Sequence, residues 1–348
     1  MKRNLLFLLL ILMCLFLFGC GNRDSGADNR KYHVVTDMAG NEVNLPVKIE
    51  RISCMSATCE TALVAMGQAD KMIVTSTFAS GDFDFTYKIF PELSKVEKIS
   101  GSLSNEELLA RNVDVVFVKS KSNVERLQQG GVTAFYLEFN DIEQTKKSIS
   151  LLGEIFGVKK IADSYIKYID KYIPLIEERL SSIPEDEKLT VYAPLLRSQD
   201  NTIFNTYDPV HISTEVFDLC KAHVITKDIE FTDSNGIITE EALIRLNPDV
   251  ILVCGFYREQ GYDSLMSGKY DDILKAVKDK RVYYFPLGMY DWSAGGFELG
   301  ISSLWIAKTL YPDKFEDIDL IELTKEYYKD TTGAKLTDED IAYIFQQK

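Results

Sequence analysis

Apolar residues at Val158, Ile161, Tyr165, Ile169, Tyr172, Ile176 and Leu180 recur at steps of three or four, with Lys, Asp and Glu on the opposite side. That spacing puts one apolar stripe along an α-helix and predicts a helix over residues 158–183. At 1.5 Å per residue it would be roughly 39 Å long, enough to join two lobes. Gly157 precedes it and Pro184 follows it, while Pro174 inside the run removes a backbone donor and predicts a kink. Before this helix, residues 32–45 alternate around Ala39-Gly40-Asn41 as a hairpin does. A strand at 51–55, a helix at 59–66 stopped by Gly67, a strand at 73–75, a helix at 106–111 and strands at 114–118 and 132–137 follow. After the long helix the pattern restarts, with a strand at 189–193 and helices near 212–219 and from 240 onward. Strands separated by helices predict mostly parallel sheets covered on both faces.

The two halves also share a segment. Residues 106–118 (EELLARNVDVVFV) align with residues 241–253 (EALIRLNPDVILV) at an offset of 135, sharing the leading Glu, Leu108/Leu243, Asn112/Asn247, Asp114/Asp249 and the strand that follows. The expected fold is therefore α/β, with two similar lobes of mostly parallel sheet joined by one long backbone helix and a ligand cleft between them.

Composition changes this picture mainly at the N-terminus. Lys2 and Arg3 precede an apolar run over residues 5–18 that is too short to span a bilayer, in the order of a secretory signal. Residues 21–31 (GNRDSGADNRK) are polar and suit a flexible tether. The expected division is a signal at 1–19, a tether at 20–31, lobes at 32–157 and 184–348, and the joining helix at 158–183. Loss of the two signal cations takes the formal charge from -14 to -16, which argues against nucleic acid. Cys54, Cys59, Cys220 and Cys254 form no close CxxC pair, and three histidines are too few for a histidine-built metal site. The sequence has no GxSxG, HExxH or P-loop, so an enzyme is not expected.

Ligands of open α/β sheets sit beyond the carboxyl ends of the strands. In the first lobe those ends carry Ser56, Thr58, Phe78 and Lys119; in the second they carry Arg197, Tyr257, Arg258, Tyr290 and Trp292. Aromatic walls with guanidinium donors suit a large, partly aromatic ligand bearing anionic oxygens. Trp292 is expected in the cleft, where a coloured ligand would quench it, and Trp305 in the core.

The Leu17-Phe18-Gly19-Cys20 box, the opening VTDMAGNEVNLP hairpin followed by KIERI, the single long helix and the paired Glu segments together resemble the substrate-binding lipoproteins of ABC importers for ferric siderophores, cobalamin and haem. The resemblance covers nearly the whole chain after the signal. It implies diacylation of Cys20, a monomer held to the outer face of the membrane by lipid alone, and an ABC permease with its ATPase as partners. It further implies that Glu106 and Glu241 dock on permease arginines and that the lobes tilt by only a few degrees. The resemblance does not fix the ligand; without a dominant iron ligand in the sequence, the ligand is expected to bring its own coordination shell and the protein to need no cofactor, a ferric siderophore standing first and cobalamin or another corrinoid second, with haem as a further alternative.

Overall fold

The computed structural model describes residues 31–79, 83–206, 212–229 and 236–346. The expected signal, Cys20 and nearly all of the expected tether lie outside the described residues. Strands β1 (Tyr32–Thr36) and β2 (Glu42–Pro46) pair antiparallel, Tyr32 opposite Pro46 and Thr36 opposite Glu42. The Asp37 carboxylate accepts from the backbone N–H of Ala39 and Asn41 at 2.9 Å each, which closes the turn.

The first lobe continues through β3 (Ile52–Cys54), α1 (Ala57–Ala65), β4 (Val74–Thr75), α2 (Asp84–Ile89), β5 (Glu97–Lys98), α3 (Asn105–Ala110), β6 (Val115–Val118), α4 (Lys121–Gln129), β7 (Ala134–Tyr136) and α5 (Ile142–Ile155). Its strands run in the order β3, β6, β7, all parallel, and a parallel bridge from Ile52 to Met72 leads into the parallel β4–β5 pair. The joining helix α6 (Lys159–Leu180) follows. The second lobe holds β8 (Leu189–Tyr192), α7 (Ile212–Leu219), β9 (Ala222–Val224), α8 (Glu240–Leu246), β10 (Val250–Val253), α9 (Arg258–Leu265), α10 (Lys275–Lys278) and β11 (Val282–Tyr284), then α11 (Leu299–Leu310), α12 (Leu320–Thr332) and α13 (Asp338–Phe345). Its four strands are all parallel, in the order β11, β10, β8, β9.

The apolar runs at the two central strands reflect burial on both faces. Val115 and Phe117 of β6 face the main core while Val116 and Val118 face a second one. Val250 and Leu252 of β10 likewise face the main core and Ile251 and Val253 another. The main core is continuous from the first lobe through Tyr165, Tyr168, Ile169, Tyr172 and Ile176 of α6 into the second. α6 is one element through Pro174, shorter than expected by one residue at its start and three at its end. Gly300 lets α11 cross it closely, since a Cβ there would lie 2.6 Å from the backbone carbon of Tyr168.

The shared segment has a structural logic. Asn112 (φ 51°) and Asn247 (φ 41°) both take the left-handed conformation that ends α3 and α8. Asp114 accepts from the N–H groups of Glu50 (2.8 Å) and Arg51 (3.0 Å), and Asp249 from the N–H and hydroxyl of Thr190 (2.8 Å each). Each aspartate thus ties the start of its own central strand to the strand beside it. Leu108 and Leu243 are fully buried. Among the described residues no helix is long and apolar enough to cross a membrane.

Candidate functional site

The loops leaving the strands of the two lobes meet in an aromatic cluster. Phe83 lies edge-on to Phe78 (4.9 Å between ring centres) and to Phe256 (5.0 Å), and stacks on Tyr290 at 6.2 Å with ring planes 7° apart. Phe256 and Tyr290 also meet edge to face at 5.6 Å. Burial, with Asp291 beside it, pushes the Tyr290 phenol up to about 12, the Arg197 charge acting the other way. Tyr290 is therefore a neutral hydroxyl at physiological pH.

Two buried glutamates hold the loops that carry these rings. Glu60, on α1, accepts from the Thr75 hydroxyl (2.6 Å), the Ser76 hydroxyl (3.0 Å) and the N–H groups of Ser76 (3.2 Å) and Thr77 (3.0 Å), which fixes the turn before Phe78. Glu298, just before α11, accepts from the N–H groups of Met289 (3.1 Å) and Tyr290 (3.2 Å), from Trp292 Nε1 (2.7 Å) and from the Tyr328 hydroxyl. Burial pushes Glu298 up to about 7 despite these four donors. Across the lobes, the Thr86 hydroxyl donates to the Met289 carbonyl (2.6 Å) and Lys88 pairs with Asp340 (2.6 Å).

Arg258 is the one charged side chain among the described residues whose buried polar atoms lack partners; His33 Nδ1 and Asn105 Oδ1 are the other buried side-chain atoms without one. Arg258 is the first residue of α9 and is 1% exposed, yet Nε, Nη1 and Nη2 have no hydrogen-bond partner among the described residues. Burial lowers its pKa, and Asp291 is the main opposing charge. The oxygens of Asp291 are already engaged by the N–H groups of Gly255 (2.8 Å) and Ser293 (2.9 Å) and by the Ser293 hydroxyl (2.7 Å). A cation at a helix start also opposes the helix dipole. Gly255 (φ +93°) permits the close approach that sets the Arg197 and Arg258 loops side by side: a Cβ there would lie 2.2 Å from the Leu196 carbonyl oxygen, which accepts from Tyr257 N–H at 3.0 Å.

The other expected site residues distribute as follows. Ser56 caps α1 by accepting from Cys59 N–H at 3.2 Å, and Thr58 is half-buried in the first turn. Lys119 is half-buried with Nζ 6.0 Å above the Phe139 ring, and burial lowers its pKa. Arg197 is exposed and Tyr257 half-buried. Phe78 is buried within the cluster. Trp292 departs from expectation: its indole is 2% exposed and its N–H is spent on Glu298, so it braces the Tyr290 loop instead of presenting an open face. Trp305 packs on Phe285 at 4.8 Å in the main core. Sequence reasoning missed Phe83, Glu60 and Glu298; no helix or strand period marks a glutamate whose donors lie six to thirty residues away.

Glu106 and Glu241 are exposed in the first turns of α3 and α8, and neither forms an ion pair among the described residues. Ser104 and Thr239 cap those helices, Ser104 in a capping box with Glu107.

This geometry of two parallel-sheet lobes on one helix has clear relatives. The chain matches the family model described as periplasmic binding protein over residues 54–287. It is 27% identical over 335 residues to the uncharacterized ABC transporter substrate-binding lipoprotein YvrC of Bacillus subtilis, covering 91% of this chain and 99% of that one. It is 24% identical over 326 residues to the molybdate-binding protein MolA of Haemophilus influenzae, covering 85% and 90%. An ABC transporter solute-binding protein from Sulfurospirillum deleyianum shares the fold at a TM-score of 0.78 and 19% identity, over 90% of this chain and 99% of that one. The chain belongs to the periplasmic binding protein family.

Proposed function

We propose that this protein captures an anionic metal chelate, a ferric siderophore in the first instance, between its lobes and delivers it to the importer's membrane permease. The observation that carries the reading is the buried, hydrogen-bond-free guanidinium of Arg258, which follows Phe256 of the ring cluster by two residues and interacts with Asp291, the residue after Tyr290 of that cluster. An anionic oxygen would supply what Arg258 lacks, Arg197 would add a second positive charge, and the rings would take the ligand's planar surface. Among the described residues no group of three His, Cys, Asp or Glu side chains could hold a metal ion, so a metal would arrive with its own ligands. Ser56, Thr58 and Lys119 stand as the first lobe's polar contacts. Delivery would use Glu106 and Glu241 as carboxylates docking on permease cations, with Cys20 as the lipid anchor on the outer face of the membrane and the protein acting as a monomer.

A second reading, a bare tetrahedral oxyanion, is favoured by the 1% exposure of Arg258, which a small anion reaches more easily than a large chelate does. The molybdate relative points the same way. Calorimetric titration with ferric hydroxamate, ferric catecholate, ferric citrate, molybdate, cobalamin and haem tests both readings. Saturable binding of a ferric chelate supports the first and of molybdate the second. Cobalamin or haem as the only binder would remove both, and saturation by none would remove the chelate reading.

A further inference from the structure

The shared segment retains positions for three different reasons. Leu108 and Leu243 fill the core, Asn112 and Asn247 end their helices, and Asp114 and Asp249 tie neighbouring strands. One further similarity has no such role. Leu109 is 51% exposed and Ile244 is 37% exposed, and each stands three residues after Glu106 or Glu241. Counted from the caps Ser104 and Thr239, the acid is the second helical residue and the exposed aliphatic the fifth in both lobes. Residues three apart are neighbours on a helix surface, so each lobe presents an acid and a branched aliphatic side by side.

The other acid of each helix shows the contrast. Glu107 completes the capping box of α3, whereas Glu240 pairs with Lys269 at 2.5 Å and accepts from the Tyr270 hydroxyl at 2.9 Å. Those acids have intramolecular partners and occupy different positions in the two helices. Glu106 and Glu241 form no ion pair among the described residues and occupy the same position. Attraction to the helix dipole would account for an acid in a first turn, but it says nothing about an exposed Leu or Ile.

We infer that Leu109 and Ile244 are apolar contacts of the docking surface, each seated beside its carboxylate on a permease dimer that presents the same cation and apolar socket twice about a two-fold axis. This inference rests on the docking role proposed above for Glu106 and Glu241. Two couples matching in charge, shape and helical position fit a partner that repeats one surface. The carboxylates supply long-range attraction, and the aliphatic side chains supply contact that salt does not screen.

The test compares three forms of the full chain binding the importer's permease–ATPase complex in lipid nanodiscs: the unaltered protein, L109Q/I244Q and E106Q/E241Q. Glutamine keeps helix propensity and side-chain length while removing the apolar surface or the charge. Affinity is measured at about 0.1 and about 1 M salt, a range over which screening becomes nearly complete at contact distance. The expected result for L109Q/I244Q is a loss of about tenfold or more at both salt concentrations, with chelate affinity unchanged. The expected result for E106Q/E241Q is a larger loss at low salt that shrinks at high salt. If L109Q/I244Q binds the transporter like the unaltered chain while E106Q/E241Q does not, the apolar contacts are overturned and carboxylate docking stands. If both variants bind like the unaltered chain, the docking role falls with them. A loss of chelate affinity in L109Q/I244Q would show a folding effect and would also overturn the inference.

Discussion

Replacing Arg258 with Met should stabilise the ligand-free protein and weaken ligand binding. Methionine fills a similar volume and carries no donor, so it removes a buried cation whose Nε, Nη1 and Nη2 lack partners. Exchange of a buried charge for an apolar group of like size is commonly neutral to stabilising by about 1 to 4 kcal/mol. The main opposing effect is the loss of Asp291's attraction to the guanidinium, but the carboxylate keeps its three hydrogen bonds from Gly255 and Ser293. For a chain of this size a gain of that order corresponds to a rise in Tm of roughly 1 to 6 °C. Loss of two charge-assisted bonds to an anionic ligand, at about 1.5 kcal/mol or more each, would weaken binding by about a hundredfold or more. Thermal unfolding of the ligand-free R258M variant and titration with the chelate that binds the unaltered chain read the two effects separately. A variant that melts several degrees lower and binds normally would refute the reasoning, because Arg258 would then support the fold and not the ligand.

Three further outcomes follow from the same geometry. Glu298 has a folded-state value of about 7 against an ordinary 4.5, so its protonated form is favoured by folding: its contribution is full below pH 4.5 and is lost as pH rises through 7, by about 3 kcal/mol. Denaturant titrations between pH 5 and 8 should therefore show stability falling with pH in the unaltered chain and falling less in E298Q; equal slopes would contradict this. Because one core runs through both lobes and Thr86 and Lys88 tie the first lobe to Met289 and Asp340, the radius of gyration by X-ray scattering should change by less than about 1 Å on ligand binding. A compaction of several ångströms would contradict that rigidity. Gly300→Ala should lower stability by about 1 to 3 kcal/mol, since its Cβ would press on the α6 backbone at Tyr168; an unchanged denaturation midpoint would show that the helices part without cost.

The fold was legible because its signals are local. The stripe on α6 has helical period, the strands of each lobe are short apolar runs, and the shared segment encodes cap, core and clamp within thirteen residues. Arg258 and Tyr290 were legible as residue types at strand ends, but not the burial that gives Arg258 its meaning, because burial is a property of the surrounding elements. Trp292 shows the same gap: a tryptophan in a cleft loop reads as open unless the acceptor for its indole is known, and Glu298 becomes that acceptor only when the chain folds. Phe83 lies in a stretch with no regular period, between β4 and α2, and its stacking on Tyr290 spans more than two hundred residues of sequence.

The most direct test of anion capture by Arg258 is the crystal structure of the protein with whichever ferric chelate or oxyanion saturates it. The account predicts a ligand oxygen about 2.7 to 3.2 Å from a guanidinium nitrogen of Arg258, with part of the ligand against the Tyr290 ring. A ligand bound between the lobes with no oxygen within reach of that guanidinium would contradict it.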